Sequence, residues 1–103
     1  MINKLRMLEF TIYGIENDKF INLMRLLSDA MSTFPLSYKI QRVTNIDDII
    51  SSGVVSIPSI YYKSTLISEE ELTSVENMRK QILHAIENDL TPEQLKKVSW
   101  YLK

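Results

Sequence analysis

The sequence predicts an α/β domain built on a mixed four-stranded sheet flanked by helices, and three observations carry that prediction. Apolar residues recur with period two in some segments and with helical spacing in others, in the order β-α-β-α-β-β-α with one more helix at the C-terminal end. Helical connections between the first strands demand parallel neighbours with right-handed crossovers, whereas the tight Lys63–Ser64 link demands an antiparallel pair. Finally, 103 residues with 45% hydrophobic content suffice for one core and leave no room for a second, because a chain of this size buries roughly 65% of its unfolded surface. The chain is therefore read as a single domain over residues 1–103, its core at 7–90 and an additional helix at 91–103.

The first strand is Leu8 to Tyr13, where Leu8, Phe10 and Ile12 point one way and Glu9, Thr11 and Tyr13 the other. Gly14 ends it. Phe20, Leu23, Met24, Leu27, Ala30 and Met31 then form one wide apolar stripe of a helix, opened by Asn17 or Asp18 and closed before Pro35. Leu36 to Val43 alternates less cleanly, with Leu36, Tyr38, Ile40 and Arg42 on one face, as expected near a sheet edge. Thr44 or Asn45 opens a short helix in which Ile46, Ile49 and Ile50 share a face, and Gly53 suits its left-handed end.

Val54 to Tyr62 is rich in strand formers but contains Pro58, which places that proline at a strand start or a sheet edge. Thr65 to Ile67 is the partner strand. Thr73 with Glu76 fits a capping box ahead of a helix faced by Val75, Met78, Ile82 and Ile86. Thr91, Pro92 and Gln94 signal the last helix, which carries Leu95, Val98 and Leu102 on one side.

Composition excludes several chemistries. There is no cysteine, hence no disulfide, thiolate nucleophile or thiolate-ligated metal, and one histidine, His84, cannot build a multi-histidine site. With 12 basic and 13 acidic residues the formal charge is −1, so neither nucleic acid nor an anionic membrane is an expected partner. No segment is long and apolar enough for a membrane span, and Lys4, Arg6 and Glu9 interrupt anything like a signal peptide. A cytoplasmic location follows as the expectation.

Three segments together carry a resemblance. Gly14-Ile15-Glu16-Asn17-Asp18-Lys19 stands where a G-C-x-x-C-K motif would open the first helix. Val43-Thr44-Asn45-Ile46-Asp47-Asp48-Ile49 matches V-T-x-I-x-x-I, and Gly53-Val54-Val55-Ser56-Ile57-Pro58 matches G-V-x-S-x-P. In these motifs, their spacing and the element order, the chain from Met7 to Ile86 resembles the small thioredoxin- and glutaredoxin-like proteins. The resemblance implies a thioredoxin-like fold, a sheet order of 2-1-3-4 and a cis Ile57–Pro58 bond.

The chemistry departs from that family. Its two redox cysteines correspond to Ile15 and Asp18, and neither side chain can exchange electrons with a disulfide. Dithiol oxidoreductase activity is therefore expected to be absent, with no catalytic residue, metal or cofactor. What the resemblance leaves is a binding surface of Gly14, Ile15, Glu16, Asn17, Asp18, Ile57 and Pro58, where the Ile57 backbone pairs with an extended peptide or with glutathione. Tyr13 and Tyr61 are candidates for an apolar shelf there. The expected role is a non-catalytic protein- or peptide-binding module; the alternatives are a glutathione- or thiol-handling protein and a structural oligomer subunit.

Plainer readings stand beside these. Acids in a first helical turn stabilise by ~0.3–1 kcal/mol, which accounts for Glu16 and Asp18 without a ligand. Asp47 and Asp48 are adjacent on a helix and point apart, so they do not form an acid–base pair. Ser56 and Ser59 flank the proline without a positioned base, Glu69 to Glu71 reads as a solvated run, and His84 as a surface residue. Trp100 and Tyr101 make the last helix unusually apolar; it either packs on its own domain or forms a homodimer interface.

Overall fold

A computed structural model describes residues 7–69 and 74–100. Among them the elements run β1 (Leu8–Tyr13), α1 (Asp18–Met31), β2 (Tyr38–Val43), α2 (Ile46–Ser52), β3 (Ser59–Tyr62), β4 (Thr65–Glu69), α3 (Val75–Ile86) and α4 (Pro92–Trp100), with a 3₁₀ turn, Glu87–Asp89, before α4. The sheet order is β2-β1-β3-β4. β1 and β2 are parallel, with Leu8 opposite Tyr38 and Tyr13 opposite Val43, while β3 is antiparallel to both β1 and β4. The mixed sheet and its expected order are both present.

Period two puts Leu8, Phe10 and Ile12 of β1 on one face, and cross-strand pairing adds Tyr62 and Ile60 of β3 beside Phe10 and Ile12. There they meet Phe20, Leu23, Leu27, Ala30 and Met31 of α1 and Met78, Ile82 and Ile86 of α3, all buried. Each such large side chain contributes roughly 1.5–3 kcal/mol over its exposed state. Helices α1 and α3 also pack on each other. This side of the sheet is the core.

The helices expected to flank the sheet leave its other face largely bare. Glu9, Lys39, Gln41 and Leu66 are exposed there, and Thr11 and Tyr61 half-buried, so its centre is open. At 1.5 Å per residue the seven-residue α2 is only ~10 Å long, too short to roof four strands. Its Ile49 is buried, but outside the main cluster.

The caps follow local chemistry. Asn17, not Asp18, caps α1 by accepting the Phe20 N–H at 3.0 Å. Asn45, not Thr44, caps α2, accepting from Asp47 and Asp48 at 2.8 and 3.3 Å. Gly53 closes α2 at φ +81°. Thr91 and Gln94 satisfy each other's backbone N–H reciprocally, at 3.1 and 3.0 Å. At α3 the expected box is replaced: Ser74 caps by accepting the Asn77 N–H, and Thr73 lies outside the described residues.

Three further expectations need correction. β2 starts at Tyr38, because Leu36, next to Pro35, turns in to pack on the core. Arg42 has the core-face register opposite Ile12 but is exposed, since β2 is a sheet margin and Glu16 holds the guanidinium at 3.3 Å. On α2 only Ile49 is buried; Ile46 and Ile50 are 50% and 70% exposed. At the C-terminal end, Val98 is fully buried in the core cluster, so α4 does pack on its own domain. Tyr101, Leu102 and the Trp100 side chain lie outside what is described. No helix among the described residues is long and apolar enough to cross a membrane.

Candidate functional site

The end of β1 and the start of β3 lie side by side, with Tyr13 opposite Ser59. Gly14 follows Tyr13 and donates its N–H to the Val43 carbonyl at 3.1 Å, tying this corner to β2 as well. A Cβ at Gly14 would lie 2.9 Å from Phe20 Cδ2 and 3.2 Å from both Cα and Cβ of Pro58. Only a residue without a side chain lets the two chain segments approach this closely. The loop before α1 and the loop before β3 are thus held together. The Ile57–Pro58 bond is cis, as the resemblance implies.

The remaining candidates divide by what they already hold. Asn17 serves α1 as its cap, and its N–H donates to the Ile15 carbonyl at 2.7 Å, closing a tight turn. Glu16 is paired with Arg42 at the surface. Ile15 is 51% exposed, and Asp18 is exposed with no ion pair or side-chain hydrogen bond among the described residues. Tyr13 and Tyr61 meet edge to face at 5.6 Å between centroids, on the face away from the core.

Ile57 is half-buried, and its backbone N–H and C=O have no hydrogen-bond partner among the described residues. The β1–β3 pairing ends at Tyr13 and Ser59, and beyond it Gly14 packs on Pro58, which brings the neighbouring Ile15 and Ile57 segments to one corner. The corner therefore offers one free pair of main-chain groups beside an exposed isoleucine. Next to it, the buried Ser59 hydroxyl also lacks a partner among the described residues. With no cysteine in the chain, the site has no thiol of its own.

Several features escaped sequence reasoning. Val55 is 93% exposed, and with Ile46 and Ile50 it leaves apolar surface around α2. The i, i+4 spacing of these isoleucines looks the same whether the face is covered or bare. At the other end of β1 lies an open groove of about 1070 Å³, lined by Leu8, Leu36, Tyr62, Asp89, Gln94 and Lys97 among others; no candidate residue borders it. On its wall the Tyr62 hydroxyl donates to Asp89, which also accepts from Lys63 at 2.9 Å. That tie is between residues 27 apart, beyond any local pattern.

His84 is exposed and lies 3.7 Å from Glu87. Among the described residues, no group of three or more His, Asp or Glu side chains is placed to hold a metal ion. The chain matches no family model, no characterised protein and no solved structure.

Proposed function

We propose that this chain is a thioredoxin-like binding module without redox chemistry, which captures an extended peptide segment against the backbone of Ile57. The unpartnered N–H and C=O of Ile57, half-buried at the head of β3, carry this reading. The 2-1-3-4 sheet order, the cis Ile57–Pro58 bond and the contact of Gly14 with Pro58 support it. A segment adding there gains main-chain hydrogen bonds and covers Ile15, as in strand addition generally. Such bonds net ~0.5–1.5 kcal/mol each, so with the open half of one isoleucine the affinity is on the order of 1 mM. That is the range of a module that gains strength from further contacts.

The test is an amide NMR titration with two extended octapeptides, alternating Val-Lys and alternating Val-Glu, and with glutathione as a separate arm. The expected outcome is movement of the Ile15 and Ile57 resonances with at least one peptide. If both peptides leave those amides unmoved at about 1 mM, the reading is wrong. If glutathione alone moves them, a thiol-handling role replaces it.

A further inference from the structure

We propose that the binding surface continues from Ile57 onto the bare face of α2 and selects partner segments in which apolar residues alternate with lysine or arginine. This deepens the reading above and rests on it for the position of the peptide.

Topology brings the parts to one end of the molecule. β2 runs parallel to β1 and β3 antiparallel, so α2 leaves β2 and enters the loop to β3 at the Gly14 end of the sheet. Ile46 follows three residues after Val43, whose carbonyl binds the Gly14 N–H. Val55 lies three residues before Pro58. Ile15, Ile46, Ile50 and Val55 are 51%, 50%, 70% and 93% exposed. Four large aliphatic residues left this open at one end of so small a domain are surface that a partner can cover.

Charge decides what kind of segment fits. Asp47 and Asp48 sit in the first turn of α2, flanking Ile46 and Ile50, and neither carboxylate has an ion pair among the described residues. The helix N-terminus favours acids there by itself, but it does not explain bare isoleucine and valine beside them. Of the neighbouring charges, Arg42 is held by Glu16, and Asp18 and Lys19 carry opposite charges with no ion pair between them among the described residues. Asp47 and Asp48 thus leave net negative charge, unpaired among the described residues, beside exposed isoleucines. An extended chain alternates its side chains, so one set can cover the isoleucines while ammonium or guanidinium groups reach the carboxylates.

Fluorescence anisotropy with labelled Val-Lys, Val-Glu and Ser-Lys octapeptides tests this on the full chain, alongside the NMR titration. Val-Lys should bind about 10-fold tighter than Val-Glu at low ionic strength, and the gap should shrink several-fold near 0.3 M salt. The surface variants D47N/D48N should erase the preference, and D47K/D48K should invert it. I50S should weaken Val-Lys binding about threefold or more, through lost apolar contact.

Equal binding of Val-Lys and Val-Glu, each with shifts at Ile57, overturns this inference and leaves the peptide-binding reading intact. Tight Val-Lys binding that moves α2 amides but not Ile57 does the reverse. Ser-Lys binding as tightly as Val-Lys reduces the site to bare charge and overturns the apolar part. Self-association of the free protein that I50S abolishes overturns the inference too, because a second copy then covers α2.

Discussion

Both glycines of the chain sit at positive φ but only Gly14 is also closed in, and paired substitutions separate the two effects. At Gly14 space adds to a backbone that already sits at φ +158°, which L residues rarely adopt. An alanine Cβ would meet Phe20 Cδ2 at 2.9 Å and Pro58 at 3.2 Å, and both neighbours are buried, so neither can swing aside into solvent. Overpacking of this kind costs about 1–3 kcal/mol. For a domain of this size that lowers the melting temperature by roughly 5–20 °C. At Gly53 the surroundings are empty within 4 Å, and the constraint is the φ of +81°. Alanine there costs about 1–2 kcal/mol, and asparagine, which tolerates the left-handed region, recovers most of it. At Gly14 asparagine should be worse than alanine, because a larger side chain enters the same closed space. Denaturant unfolding followed by circular dichroism measures all four variants. A Gly14→Ala midpoint equal to wild type, or Gly14→Asn no worse than Gly53→Asn, would refute the close packing of the two loops.

The tie between β3 and the turn before α4 can be weighed in the same assay. Tyr62 is 4% exposed and its hydroxyl donates to a carboxylate, so Tyr62→Phe should cost about 1.5–3 kcal/mol, against under ~1 kcal/mol for Lys63→Ala on the exposed side. Tyr62→Phe combined with Asp89→Ala should be markedly non-additive; a strictly additive pair would mean that the hydroxyl and carboxylate act independently. Separately, Ile15 and Asp18 are three residues apart and the tight turn between them is closed by the Asn17 N–H to Ile15 carbonyl bond, so Ile15→Cys with Asp18→Cys should close an intramolecular disulfide under mild oxidation. Exclusively intermolecular dimers on a non-reducing gel would show that these positions do not stand where the family's cysteine pair does.

Elements defined by long periodic patterns were legible in the sequence. The apolar stripes of α1 and α3 each have one side that water must not reach, and in the fold those sides are buried. Pro58 could be placed at a strand entrance because a proline cannot donate to a ladder, and β3 begins one residue later. The cap of α3 was misplaced by one residue, since Thr73 and Ser74 are chemically equivalent candidates and tertiary position selects between them. The bare face of α2 was misread because isoleucine at helical spacing looks alike over a core and over solvent. At the candidate site, the meeting of Gly14 with Pro58 depends on strand pairing across more than forty residues, which no local pattern encodes. The Tyr62–Asp89 tie was hidden for the same reason.

The two margins of the sheet are unequally defended. Along β2, Lys39 and Arg42 are exposed and each is anchored to an acid of the same chain, Glu9 and Glu16. A second molecule approaching that margin in register must desolvate fixed charges, which is how natural sheets discourage fusion of their edges. The opposite margin, β4, presents Thr65 and the 42% exposed Leu66. Were β4 alone to admit a partner strand, edge-to-edge growth would end at a pair of molecules, because a fibril needs two permissive margins.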